Sequence, residues 1–303
     1  MCGVCSRAFK VLPSLPSLRG SPPTVDIRLL QSRVGFSKCT GPTSRATQLL
    51  AALLLLFAAT SPGYADADRG LEIANTMRER DSGFGNFTAD MEMTLISASG
   101  KRSLRRLRVK TLEVKDDGDK NLAIFDAPAD VKGAAFLSHT HIGSPDDQWL
   151  YLPSLRRVKR IAPANKTAPF MGSEFSYEDL ASPEVEKYTY KYVGDGTAAG
   201  QHAFLLERYP VDKHSGYSRQ LVWVDQNRYI GLKTEFYNRR GEKFKTLTSS
   251  GFKQYLDRYW RAAEMNMENH LSGKRTELRW SNYRFRQNIS EQDFRPTSLR
   301  RMR

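Results

Sequence analysis

Cysteine is almost absent from the 303-residue sequence, and its three residues, Cys2, Cys5 and Cys39, all lie near the start. The chain beyond residue 39 can therefore hold no disulfide, thiolate metal site or cysteine nucleophile. The short motifs of zinc peptidases, serine hydrolases, phosphate-binding loops and dinucleotide-binding folds are also missing. No local signature points to a known class of enzyme.

Apolar runs are scarce as well, and one of eleven residues, Leu49–Ala59, stands apart. As a helix it would rise only about 16 Å, too little for a hydrocarbon core of roughly 30 Å. Arg45 precedes the run, and small residues follow it at 61–65. This arrangement is typical of a secretory signal peptide cleaved after Ala65 or Ala67, with a retained signal anchor as the alternative.

Acidic residues are rare at the start of the chain, where residues 1–44 contain only Asp26 among many Arg, Ser and Pro. Such a composition fits an organellar transit peptide or an over-extended start. We favour the second, although no Met lies between Met1 and Met77 to mark a later start. Residues 1–65 are therefore set aside, and 66–303 are interpreted as one domain.

The charge balance changes once that segment is removed. Residues 1–65 hold seven of the 47 basic and one of the 33 acidic residues, so the formal charge falls from +14 to +8. A basic exported chain favours an anionic membrane surface or an acidic protein as partner and disfavours nucleic acid. No cysteine follows the apolar run, where a lipoprotein would be acylated, so we expect a soluble periplasmic protein.

Hydrophobic periodicity predicts a helix over Ala67–Arg80 and then mostly strands. Met91, Met93 and Leu95 alternate with polar residues, and a Ser-Gly-Lys turn at 99–101 predicts a hairpin. Further strands are predicted at Leu104–Val114, Asn121–Asp126, Ala134–Thr140, Gln148–Leu152, Arg157–Ile161, Val185–Val193, Ala203–Tyr209, Arg219–Asp225, Ile230–Asn238, Glu242–Thr248, Trp260–Asn269 and Lys274–Arg286. An antiparallel sheet of ten or more strands must curl or close.

Three segments could cover the concave side of such a sheet: the helix, a short helical stretch at Ser173–Leu180, and a C-terminal segment at Ile289–Phe294. Prolines bracket residues 162–176, where apolar and polar side chains mix in a way typical of neither core nor loop. Trp149 and Tyr151 share one face of their strand, and Leu150 and Leu152 share the other. Apolar residues on both faces indicate either packing on each side or a cavity on one.

Histidine and the basic clusters are the remaining candidates for chemistry. His139 and His141 have a spacing that can hold a metal, but further ligands are missing, so no metal or cofactor is predicted. Lys and Arg cluster at 101–110 and 156–160. They are interpreted as the solvated outer face of strands or as a patch for anionic headgroups or an acidic partner.

The stretch Trp149–Leu180 resembles the signature of the outer membrane lipoprotein-sorting protein family, relatives of the periplasmic lipoprotein carrier LolA. The matching elements are Trp149-x-Tyr151-x-Pro153, then Arg157 and Arg160, then the run Met171–Leu180. The resemblance extends over roughly residues 66–303. It implies a mainly β protein with α (α+β), built as an incomplete antiparallel β-barrel with a helical lid over a hydrophobic cavity for acyl chains.

The resemblance also implies a function and a site. We expect a non-catalytic, monomeric periplasmic carrier of a lipid or lipoprotein, working with an inner-membrane transporter of the resistance-nodulation-division (RND, MMPL-type) superfamily. The residues expected to line or gate the cavity are Trp149, Tyr151, Phe170, Met171, Phe175 and Tyr177. Arg157 and Arg160 are expected to contact headgroups or the partner. The alternatives are an envelope sensor that binds lipid without transport and, third, an envelope hydrolase.

Overall fold

The computed structural model describes residues 62–301, with side chains from residue 66 onward. Most of the predicted signal peptide, which covers residues 1–65, lies outside the described residues, and its cleavage after Ala65 or Ala67 stays a prediction. The helix and strands are α1 (Pro62–Asp81), β1 (Asn86–Ile96), β2 (Arg102–Leu112), β3 (Lys120–Ala127), β4 (Ala135–His139), β5 (Asp147–Leu152), β6 (Arg157–Ile161), β7 (Tyr188–Ala198), β8 (Gln201–Pro210), β9 (Tyr217–Asp225), β10 (Gly231–Asn238), β11 (Lys243–Ser250), β12 (Lys253–Tyr255), β13 (Tyr259–Arg261), β14 (Glu264–Asn269) and β15 (Arg275–Phe285). The 3-10 turns are Pro153–Leu155, Pro163–Asn165, Phe170–Gly172, Tyr177–Leu180, Val185–Lys187, Glu291–Phe294 and Pro296–Arg301.

Thirteen strands form one sheet in the order β6-β5-β4-β3-β2-β1-β15-β14-β11-β10-β9-β8-β7. All neighbouring pairs are antiparallel, and most are consecutive in the chain, as short turns favour. β6 and β7 are the two ends of this sheet and do not pair with each other. The sheet curls without closing, so the predicted α+β incomplete antiparallel barrel is confirmed.

One face of the sheet, which we call the inner face, is packed solid over part of its area. Strand alternation directs Met93, Leu107 and Phe125 to this face. The 162–180 segment crosses the same face and adds the buried rings of Phe170 and Phe175. The prediction that a stretch near Ser173–Leu180 covers the inside of the sheet is confirmed.

The opposite, outer face is covered at β3 and β4 by the C-terminal turns. Leu122 and Leu137 are buried there against Phe294 and Leu299. The prediction that Ile289–Phe294 covers the concave side was wrong. β3 and β4 are apolar on both faces, and the outer one would remain exposed without the C-terminal segment.

Helix α1 lies against the inner face at the β7 end of the sheet. Its apolar residues Ile73 and Ala74 pack on Leu206 and Val222. Gly70 allows a close approach, because a Cβ atom there would stand 2.9 Å from the backbone nitrogen of Tyr192 in β7. The predicted helix at Ala67–Arg80 is confirmed, although it begins five residues earlier, at Pro62.

Two predicted strands differ from the observed elements. The predicted strand Trp260–Asn269 is split into β13 and β14, and β13 pairs with β12 in a small separate hairpin. Leu256 and Asp257, at positive φ, form the tight turn of that hairpin. The predicted strand Val185–Val193 begins only at Tyr188, because a 3-10 turn occupies Val185–Lys187.

Candidate ligand-binding cavity

A cavity of about 1460 Å³ lies on the inner face beside α1. It exceeds the roughly 300–1,000 Å³ of ordinary small-molecule sites. Its wall combines the C-terminal half of α1, the inner face of β8 and β9, the loop after β2, the turn after β9 and the β12–β13 hairpin. The apolar lining residues include Ala74, Met77, Phe84, Phe87, Leu206, Val222, Ile230, Phe252, Trp260 and Met265.

The cavity adjoins the solid part of the inner face. Met265 lines the cavity and also packs against the cluster around Phe125. Along β2 and β3, the inner-facing residues change from Val109 and Phe125 in the cluster to Thr111 and Asn121 at the cavity. The hollow therefore begins where the inward side chains become smaller and more polar.

The β12–β13 hairpin is fastened to the end of α1. The Nη2 atom of Arg258 donates to the carbonyl oxygen of Glu79 at 2.7 Å, and Arg261 forms an ion pair with Asp81. Cations placed at the last carbonyl groups of a helix are favourable, because those carbonyls lack partners within the helix. Helix and hairpin thus form one connected side of the cavity.

Carboxyl groups line another part of the wall. Glu113 accepts hydrogen bonds from the backbone of Gly83 at 2.6 Å and Gly85 at 2.7 Å. Burial, together with the negative charges of Glu184 and Glu113, raises the pKa of Asp119 to about 7. Burial also raises the pKa of Glu184. This part of the wall changes its charge near neutral pH.

Arg208 on β8 places a positive charge in the cavity wall, apart from the carboxyl groups described above. Its Nε atom donates to Oε1 of Gln220 at 2.7 Å, and its guanidinium lies 4.7 Å from the ring centroid of Tyr188. Gln220 faces it across the β8–β9 ladder and is 2% exposed. These two contacts hold the side chain in place beside Leu206 and Val222.

The signature segment 170–177 is a folded unit within the core. Phe170 donates its backbone N–H to the carbonyl oxygen of Phe175 at 2.7 Å, and the Phe170 ring contacts those of Phe136 and Tyr177. Met171, at positive φ, packs at the margin of the cluster and accepts a hydrogen bond from Arg105. The structure brings these sequence-predicted residues together, but as packed core beside the cavity.

The segment is hydrogen-bonded to strands near both ends of the curled sheet, β5 on one side and β9 on the other. Gln148 on β5 donates to the carbonyl oxygen of Tyr177 at 2.9 Å. Tyr217 on β9 donates to Oδ1 of Asp179 at 2.7 Å. Glu178 accepts from the backbone of Gly216 at 2.9 Å. The polar residues of the signature therefore hold the aromatic segment in place.

The other sequence-predicted residues lie elsewhere. Trp149 and Tyr151 pack on the outer face with the C-terminal turns, whereas Leu150 and Leu152 face inward. Arg157 and Arg160 are exposed on β6, where Arg160 pairs with Asp147. None of the six predicted cavity residues borders the cavity described above. Their role as ligand contacts stays a prediction.

The two histidines point to different partners. The Nε2 atom of His139 donates to the carbonyl oxygen of Phe294 at 2.8 Å, and Nδ1 of His141 donates to Asp117 at 2.8 Å. Within residues 62–301, no group of three or more His, Cys, Asp or Glu residues is arranged to hold a metal ion. No helix in that part of the chain is both long and apolar enough to cross a bilayer.

Sequence reasoning missed the residues that do line the cavity. Met77, Leu206 and Val222 come from separate parts of the chain, and each resembles any other core residue. Arg208 could have been identified from the sequence, because strand alternation places it on the same face as the buried Leu206. A charged residue on the apolar face of a strand indicates either a buried ion pair or a site.

Fold and cavity together define a class of proteins: curled, open antiparallel sheets with a helix beside a hollow inner face. A family model with the description "-like: Uncharacterized protein" matches residues 117–301. The chain belongs to the outer membrane lipoprotein-sorting protein family. No curated protein matches the chain.

Three solved structures illustrate the relationship. An outer membrane lipoprotein-sorting protein domain from Vibrio parahaemolyticus is 53% identical, with 77% of this chain and 99% of that chain covered and a TM-score of 0.76. A DUF1329 family protein from Desulfovibrio piger is 28% identical, with coverages of 77% and 99% and a TM-score of 0.73. A LolA superfamily protein from Nitrosomonas europaea is 21% identical, with coverages of 76% and 97% and a TM-score of 0.59, and so supports the fold alone.

Proposed function

We propose that this protein is a periplasmic carrier that shelters the acyl chains of a lipid or lipoprotein during transfer toward the outer membrane. The observation that carries the proposal is the cavity of about 1460 Å³ beside α1, with Met77, Leu206 and Val222 in its wall. The family of the chain supports the same interpretation. The proposed role is binding and release, without a catalytic step.

The energetics of such a carrier require a partner. Burying an acyl chain gains about 0.8 kcal/mol per methylene, so fifteen methylenes gain roughly 12 kcal/mol relative to water. Leaving the bilayer costs a similar amount by the same rule. Because transfer into the cavity is near neutral, loading needs an energised donor, for which we propose an RND or MMPL-type inner-membrane transporter.

The surface contact with that partner or with anionic headgroups is proposed at β6. Arg157 and Arg160 are exposed there, and β6 is an end strand of the sheet formed by the described residues. Basic side chains on a free edge attract anionic groups and also discourage edge-to-edge aggregation. The carrier is proposed to act as a monomer.

The aromatic segment is proposed to form the closed end of the binding groove. Phe170, Met171, Phe175 and Tyr177 belong to the cluster that adjoins the cavity through Met265. A chain longer than the cavity would have to displace them. Trp149 and Tyr151 would support this end from the outer face, beneath the C-terminal turns.

Two helix variants test the site. Met77→Asp places a carboxylate in the cavity wall, whereas Leu71→Asp makes the same change on α1 at a side chain that is 44% exposed. We expect Met77→Asp to lower the lipid that co-purifies with the protein roughly tenfold, measured by mass spectrometry, because a charge in an apolar wall is costly. Equal lipid content in the wild type and both variants would contradict the assignment.

Exchange of fluorescent lipid between two vesicle populations separates a carrier from an envelope sensor. A carrier speeds the exchange, and Met77→Asp should slow it relative to Leu71→Asp. A protein that binds lipid without speeding exchange would support the sensor instead.

A further inference from the structure

The arginines that line the cavity differ in what their guanidinium groups bind. Arg78 pairs with Glu186, Arg228 with Asp225 and Arg261 with Asp81. Arg80 and Arg258 donate to backbone carbonyl groups instead. In each of these five side chains, a terminal amino group is already bound to a carboxylate or carbonyl oxygen of the protein.

Arg208 is the exception among them. Its Nε atom is bound to Gln220, but among the described residues no carboxylate lies within ion-pair distance, and neither terminal amino group has an acceptor. A partly buried cation without a counter-ion is costly unless a ligand supplies the missing charge. The two free amino groups have the planar geometry that binds both oxygens of a carboxylate or phosphate.

The surroundings of Arg208 favour a ligand with an acidic end and an apolar body. Gln220 and the Tyr188 ring fix the guanidinium, which lowers the ordering cost of binding. On the same inner face, Leu206 and Val222 lead from Arg208 toward Ala74 and Met77 of α1. An alkyl chain that starts at Arg208 would therefore run along apolar side chains of the cavity wall.

We propose that Arg208 binds the acidic group, carboxylate or phosphate, of an acyl ligand whose alkyl chain lies along Leu206 and Val222. This inference rests on the proposed function and narrows it, because it selects acidic amphiphiles over neutral lipids of equal chain length. Arg208 is then a residue that determines specificity, whereas the apolar wall supplies most of the affinity.

The test compares three sixteen-carbon probes on delipidated protein by equilibrium dialysis: palmitic acid, hexadecyl phosphate and hexadecanol. We expect at least one of the acidic probes to bind about tenfold more tightly than the alcohol, as a charge-assisted hydrogen-bond pair supplies. The tighter of the two acids identifies the acidic group. Arg208→Gln should remove the preference and leave hexadecanol binding within about twofold.

Two further variants complete the design. Arg279→Gln removes an arginine whose side chain is 68% exposed and whose Nε lies 3.8 Å from Glu264, so the acid preference should survive. Arg208→Lys keeps the charge but loses the paired donors, so it should retain only part of the preference. If Arg208→Gln unfolds at a lower temperature than the wild type, the Arg208→Lys variant alone tests whether Arg208 sets the acid preference.

The outcomes separate the two proposals. Equal binding of acid and alcohol by the wild type, or an unchanged preference in both Arg208 variants, overturns the role of Arg208 and leaves the carrier intact. Failure of the wild type to bind any of the three alkyl probes contradicts the carrier itself.

Discussion

The inner face of the sheet is solid at one end and hollow at the other, although the same strands run through both. On β1, β2 and β3 the solid end presents Met93, Leu107 and Phe125, all at most 2% exposed. The hollow end of the same strands presents Phe87, Thr111 and Asn121. The contrast shows that the sheet alone does not decide where space remains.

The segments that cross the two ends explain the difference. The 162–180 segment carries three large rings inward and is tied to both arms of the sheet through Gln148 and Tyr217. Helix α1 offers Ala74 and Met77 instead and stands against β7 at Gly70. Large rings on a fixed segment fill the groove, whereas the helix set against the sheet edge presents no aromatic ring there among its described side chains and leaves the groove open.

The largest loss of stability should follow a substitution at the solid end. Phe170→Ala removes a ring that is 1% exposed and contacts three other rings. We expect a loss of about 3–5 kcal/mol in the free energy of unfolding, measured by urea denaturation. Leu155→Ala, at a side chain 62% exposed, should change it by less than about 0.5 kcal/mol. Equal losses would mean that the segment does not hold the solid end together.

A smaller loss is expected where the helix meets the sheet edge. Gly70→Ala would place a Cβ atom 2.9 Å from a backbone atom of β7, so α1 would have to move outward. We expect a net loss of about 1–2 kcal/mol in thermal unfolding despite the better helix propensity of alanine.

The matched control for the helix contact is Gly143→Ala, where an added Cβ would have no atom within 4 Å. It should leave stability within about 0.5 kcal/mol. If Gly70→Ala proved as mild as this control, the close seating of α1 would not limit the cavity.

The last effect is of similar size but is confined to higher pH, and it concerns the hollow end. The pKa of Asp119 is about 7 in the folded protein against an ordinary 3.8. Between these values the folded state holds a proton that the unfolded chain has released, so stability falls as pH rises through this window. We expect Asp119→Asn to match the wild type near pH 4 and to exceed it by roughly 1–2 kcal/mol at pH 8.

Urea denaturation across pH 4–8 measures this difference, and the exposed Asp116→Asn serves as the control. A constant difference between Asp119→Asn and the wild type over the whole range would mean that the carboxyl is solvated as usual.

Local patterns predicted the solid end well. Alternation around Met91 and Met93 identified β1, and the opposite faces of Trp149 and Leu150 were assigned correctly. The antiparallel sheet followed from short turns between strands, which are local features. The resemblance supplied what alternation could not: that the sheet is an incomplete barrel.

The hollow end could not be predicted in the same way. Its wall joins α1, β8, β9 and a hairpin that are far apart in the chain, so no spacing rule links Met77 to Val222. The site was predicted at Phe170 and Phe175 because they belong to the aromatic signature. Large apolar rings, however, are as typical of a core as of a binding site. Both rings pack within the core cluster and neither borders the cavity, a distinction that only the folded structure reveals.

The free ends of the sheet, β6 and β7, have a mechanical consequence. A closed ring of strands can admit a bulkier guest only by breaking hydrogen bonds between neighbours. Here the gap between β6 and β7 is crossed by the chain from 162 to 187, so the two arms can spread without breaking a ladder. The contacts of Tyr177 with Gln148 and of Asp179 with Tyr217 link the two sides of the sheet through this segment, and the ion pair of Lys187 with Asp146 does the same, so any widening of the groove would have to stretch them.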